Sequence, residues 1–154
     1  MLPKKHFIIG IILSVAIYTI FPFIGFFNTL IIFLSSVFID FDHYLLYIFR
    51  KKNISPFRFW SWSIKTIKML KKMPPAKRKK FKKPLFIFHV IEFWILLGVL
   101  SFFWNFFIFV LLGIAIHMIA DWVDLCHRKD PLFYKFSLLY TIAFNRKGKN
   151  LISL

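Results

Sequence analysis

Acidic residues are scarce in this chain: six Asp and Glu stand against 22 Lys and Arg, for a formal net charge of +16 over 154 residues. The single cysteine, Cys126, excludes an internal disulfide and any paired-thiol redox motif. Glycine is nearly as rare, with five residues, and no GxxxxGKS/T nucleotide loop is present. Neither an HExxH zinc helix nor a GxSxG nucleophile elbow occurs. Five histidines are too few for the histidine-rich di-iron arrangement that membrane desaturases carry.

Apolar side chains are plentiful. The chain is 59% hydrophobic and 21% aromatic, with 23 Phe and a mean hydropathy of +0.69. A soluble domain of this length has no interior large enough to cover so much apolar surface, so the composition predicts one compact, integral membrane unit. In that setting the positive charge points to anionic membrane lipid as the partner. No nucleic-acid recognition motif accompanies it, which disfavours nucleic acid.

Four apolar runs approach the ~20 residues needed to cross a bilayer: 7–27, 28–49, 84–103 and 105–125. The first is too long for a signal peptide and lacks a small-residue cleavage site. No charge falls in the links between the first two runs or the last two, marked by Pro22 and Gly25 and by Trp104 and Asn105. Every Lys and Arg lies before residue 7, between 50 and 83, or after 125. The positive-inside rule therefore places both termini and the central loop on the cytoplasmic side of the cytoplasmic membrane. The expected fold is an all-α polytopic bundle of four transmembrane helices, with an interfacial tail at 126–154.

Within the basic loop, 50–83, the spacing predicts an amphipathic interfacial helix over 57–73. Lys65, Lys68 and Lys72 share a narrow face with Ser61, and Phe57, Trp60, Ile64 and Ile67 form an apolar one. Pro74 and Pro75 end it, and residues 77–83 form a polybasic patch that suits anionic lipid and equally an acidic protein or RNA. Residues 132–144 are apolar but too short to span, which predicts an interfacial or re-entrant helix.

Five of the six acids lie inside the apolar runs, grouped with histidines. The groups are Asp40-Phe41-Asp42-His43, His89 with Glu92, and His117 with Asp121, followed by Asp124. A carboxylate in hydrocarbon costs a few kcal/mol or more unless it is paired or bound to a cation. Counting roughly 1.5 Å per residue from the cytoplasmic ends puts all three groups about 6–14 Å deep, in one layer, with His6 at its mouth. His117 and Asp121 share a helix face at i, i+4, and His89 and Glu92 do so at i, i+3. Asp40 and His43 also share one, and Asp42 turns aside unless the helix is locally broken.

These residues predict a metal centre with candidate ligands His6, Asp40, Asp42, His43, His89, Glu92, His117 and Asp121. Imidazole and carboxylate donors suit Zn, with Mn or Fe as alternatives, and the surplus of ligands allows one or two ions. Glu92 or Asp124 is the expected general base.

His6, Ile39-Asp40-Phe41-Asp42-His43 and Ile116-His117-Met118-Ile119-Ala120-Asp121 together resemble the YdjM-like membrane-bound, metal-dependent hydrolases. That family shows His near the first span, a D-x-D-H block ending the second, and a later H-x-x-x-D. Many members carry Thr-His-Ser between the last two, where this chain has Phe88-His89-Val90. The resemblance implies metal-dependent hydrolysis at the cytoplasmic membrane face. Entry from the lipid makes a phospholipid or related ester the natural substrate. Two further readings are a non-catalytic anchor with a structural metal and a metal sensor or transporter. Polar residues are sparse in the outer half, which disfavours conduction.

Overall fold

A computed structural model of the chain describes residues 3–127, 129 and 136–147. Its regular structure is helical: α1 Pro3–Ile20, a 3-10 turn Pro22–Ile24, α2 Phe26–Phe38, α3 Phe41–Lys51, α4 Pro56–Lys72, α5 Pro75–Arg78, α6 Ile91–Ser101, α7 Phe106–His127 and α8 Leu138–Lys147. Among the described residues, two helical stretches are long and apolar enough to cross a membrane, Phe26–Lys51 and Phe106–His127.

α2 is the centre of the packing, in contact with α1 and α7, and α6 packs against α7. Its contact with α7 is close because Gly113 has no side chain: a Cβ there would stand 2.3 Å from the Ile32 carbonyl. Small residues let helix backbones approach in this way. Gly10 does the same for α1, facing Ser36 Oγ at 2.7 Å from its own would-be Cβ. Between α6 and α7, Ile39, Leu97, Ile114 and Met118 form the apolar core, with Trp94 and Trp122 half-buried around it.

Polarity is distributed inside-out. His89, His117, Asp121, Ser36 and Thr141 are among the most buried side chains, while Phe23, Phe27, Phe38 and Phe102 are widely exposed.

The second apolar run is one 26-residue stretch with a break at Ile39–Asp40. Around the break the backbone takes i→i−3 bonds: Asp40 N to Val37 O at 3.3 Å, Asp42 N to Ile39 O at 3.4 Å and His43 N to Asp40 O at 3.0 Å. This tighter winding eclipses residues three apart. It sets Asp40 above His43 and turns Asp42 toward a different neighbour.

The third run differs from expectation. Only Ile91–Ser101 is helical, and residues 82–90 are irregular although Phe86, His89 and Val90 are buried. Pro84 has no N–H to give a helix. The backbone that follows is held by tertiary partners instead: Phe88 N–H donates to Asp42 Oδ2 at 2.7 Å and Ile91 N–H to Phe136 O at 2.8 Å.

The amphipathic helix of the basic loop forms as α4, started by Ser55 and Pro56 and stopped before Pro74. Lys65, Lys68 and Lys72 are exposed as expected. The face that packs on α3 is, however, Phe59 and Trp62 against Tyr44 and Tyr47. Phe57 is left 88% exposed at the start of the helix. Of the tail helix expected over 132–144, residues 132–135 lie outside the described residues, and α8 occupies Leu138–Lys147.

Candidate metal centre

Six of the predicted residues meet where α1, the α2–α3 break, the 82–90 segment and α7 converge. Asp40 Oδ1 lies 3.5 Å from His43 Nε2, 3.8 Å from His89 Nε2 and 3.5 Å from His117 Nε2. Asp121 Oδ2 lies 3.5 Å from His117 Nε2 and 3.9 Å from His89 Nε2, and its Oδ1 lies 3.2 Å from His6 Nε2. Three overlapping trios have ligand atoms within 4.8 Å of one another: His6, Asp40 and His117; Asp40, His43 and His89; His89, His117 and Asp121.

These distances fit a cation. Four donors around a tetrahedral ion at ~2.1 Å are separated by about 3.4 Å. His89 and His117 each reach both carboxylates at 3.5–3.9 Å, so four edges of such a tetrahedron are already in place, a few tenths of an ångström open. His43 and His6 flank it, one on each carboxylate.

The two central imidazoles are also aimed by their outer nitrogens. His117 Nδ1–H donates to the Ser36 carbonyl at 2.8 Å. In an unbroken helix that carbonyl would accept from Asp40 N–H, which instead bonds Val37 O. The break thus frees the acceptor that fixes the His117 tautomer and turns Nε2 inward, where it is buried without a hydrogen-bond partner among the described residues. On His89, Nδ1 lies 3.0 Å from Asp42 Oδ2, the same oxygen that holds Phe88 N–H. A carboxylate or carbonyl behind a histidine is how metal-ligating imidazoles are usually oriented. His6 stacks on His117 with ring centroids 4.0 Å apart, and Phe86 packs against both His43 and His89.

Asp42 therefore stands behind the cluster, on the far nitrogen of His89. Glu92 is not brought into it. Its Oε1 accepts from Ser137 Oγ at 2.8 Å and Leu139 N–H at 3.3 Å, and its Oε2 from Leu138 N–H at 3.2 Å, all at the start of α8. Asp124 is half-buried on α7 and belongs to none of the three trios.

Sequence reasoning missed Ser36, Phe86 and the two glycines. A signal for the glycines was present: Gly10 follows His6 by four residues and Gly113 precedes His117 by four, one glycine on the face of each histidine. Ser36 gave none, because its role is a backbone carbonyl released by a break that no Pro or Gly marks.

Side-chain exposure is uneven: 0–3% for His6, His89, His117 and Asp121, but 17% for Asp40 and 32% for His43. The cluster opens to the outside on the Asp40–His43 side. It is a buried histidine–carboxylate cluster in a chain whose described regular structure is helical, two stretches of it long and apolar enough to cross a membrane. No protein-family model, curated protein or solved structure matches the chain.

Proposed function

We propose that the chain is a metal-dependent hydrolase of the YdjM-like kind, integral to the cytoplasmic membrane and acting on a phospholipid or related ester at the cytoplasmic face. The observation that carries this reading is the convergence of His6, Asp40, His43, His89, His117 and Asp121, with His89 and His117 each anchored through Nδ1. Buried donors of this kind, offered as lone pairs and carboxylate oxygens to a common centre, are stable in an apolar interior only with a cation or protons among them.

In this reading the chain crosses the membrane four times, with the irregular segment 82–90 and α6 together making the third crossing. α6 alone, at 11 residues, covers only about 16 Å. Non-helical backbone at membrane depth is tolerated where protein buries it, as Asp42 and Asn145 of α8 do here. The exposed Phe and Ile side chains then face lipid, and the cations at both termini and in the loop face the cytoplasm.

His89, His117, Asp40 and Asp121 would hold a divalent ion, Zn before Mn or Fe, with His6 and His43 as further ligands or the start of a second site. Such an ion polarises the scissile bond and lowers the pKa of water towards neutrality. The ester approaches on the Asp40–His43 side, the open one. With Glu92 engaged by α8, proton acceptance from the attacking water falls to His43 or Asp124.

The test is metal content by elemental mass spectrometry on protein purified in mild detergent without a metal-binding tag, beside His117→Ala with Asp121→Ala. About one or two ions per chain, lost in the double variant, is the expected outcome. Hydrolysis is then assayed on phospholipid vesicles. Folded wild-type protein without metal overturns the reading. Metal without turnover on any ester favours the anchor, with the ion stapling the helices.

A further inference from the structure

His89 differs from the other ligands in its support. His6, His43, His117 and Asp121 stand on helices and Asp40 on a helix break, whereas His89 sits on the irregular segment 82–90. Such a segment has few backbone bonds of its own, and each buried polar group in it needs an outside partner.

α8 and the turn that leads into it supply them at both ends. Asn145 makes a two-way bond to one residue: Lys83 N–H donates to its Oδ1 at 2.8 Å, and its Nδ2 donates to Lys83 O at 2.9 Å. A carboxamide offers donor and acceptor side by side in this manner. At the other end Phe136 O accepts from Ile91 N–H at 2.8 Å. Glu92 caps the first turn of α8, taking Leu138 and Leu139 N–H, while Ser137 Oγ accepts from Tyr140 N–H at 3.2 Å. A carboxylate at a helix N-terminus satisfies donors that the helix leaves open and complements its dipole. This accounts for the one membrane-run acid with His at i−3 that does not join the cluster. Thr141, on the same helix, is fully buried.

We propose that α8 is a clamp that positions His89, with Glu92 and Asn145 as its positioning residues, so that docking of α8 and occupancy of the metal centre are coupled. The proposal rests on the metal reading above. Coupling of this kind is reciprocal: what α8 does for the ion, the ion does for α8.

The test is a cycle on the full chain in detergent, with Zn²⁺ affinity measured by chelator competition and geometry by the visible spectrum of Co²⁺. The variants are Glu92→Gln, Asn145→Ala and both together, each in the wild-type and the His89→Ala background. The paired variant is expected to bind about tenfold more weakly or worse, as when support behind a ligand is lost. Its Co²⁺ bands should change, and it should show no further loss once His89 is gone. Proteolysis gives a second measure: Zn²⁺ should protect α8 from cleavage in the wild type and not in His89→Ala. Equal losses in both backgrounds, no loss, or protection independent of His89 would overturn the clamp while leaving the metal centre standing. A wild type that binds no metal overturns the metal reading itself, and the clamp with it.

Discussion

Gly113→Ala is the sharpest perturbation of the centre, because it changes no ligand and adds one methyl group. The added Cβ would meet Ser35 Oγ at 2.1 Å, the Ile32 carbonyl at 2.3 Å and Ser36 N at 3.0 Å. Ser35 Oγ can rotate away, since it is only locally bonded to Ile31 and Ile32 carbonyls. Ile32 O is backbone and cannot. Restoring an ordinary contact near 3.4 Å therefore requires α7 to retreat from α2 by about 1 Å. His117 is four residues further along the same face. A rigid retreat stretches its 2.8 Å bond to Ser36 O to nearly 4 Å, outside hydrogen-bond range, and opens the 3.5 Å edge to Asp40 by a similar amount. Overpacking of this size costs about 1–3 kcal/mol of stability. Loss of the support behind His117 should weaken metal binding about 10–100-fold. The assays are thermal melting of metal-free protein and chelator competition. Two other glycines grade the result. At Gly10 the clash is with the rotatable Ser36 Oγ at 2.7 Å, so Gly10→Ala should be milder. Gly98 has nothing within 4 Å, and Gly98→Ala should be neutral or slightly stabilising. Wild-type metal affinity in Gly113→Ala, or a Gly98→Ala effect as large, would refute the close-approach argument.

Two further outcomes follow from the same geometry. Asp42→Ala removes the oxygen that holds both Phe88 N–H and His89 Nδ1, so metal affinity should fall about 10–100-fold in folded protein; unchanged affinity on chelator titration would mean that Asp42 does not orient His89. Gly25 joins the first two helices at φ 79°, ψ 158°, a conformation essentially confined to glycine, with no steric neighbour within 4 Å. Gly25→Ala should therefore cost about 1–3 kcal/mol through the backbone alone, lowering the melting temperature in detergent while the folded protein keeps its metal affinity.

The sequence made some of this legible and concealed the rest for physical reasons. Charged residues in apolar runs are costly wherever the chain puts them, so Asp40, Asp121 and their histidines stood out before any fold was known. Helix periodicity then paired His117 with Asp121, and the two lie 3.5 Å apart. The same periodicity misled at Glu92. It placed Glu92 on the face of His89, but no helix runs through residue 89, and the carboxylate meets α8 some 45 residues later. Spacing rules hold only within an unbroken helix, and both the third run and the Asp40 motif depart from one. At Asp40 the departure is small, one 3-10 turn, with a large consequence. It stacks Asp40 over His43, hands Asp42 to His89, and releases the Ser36 carbonyl to His117. A regular helix keeps Asp40 and His43 on one face with Asp42 turned aside, but it would hold the Ser36 carbonyl for Asp40 N–H. The D-x-D-H spacing thus places the side chains, and the break adds the carbonyl that aims His117.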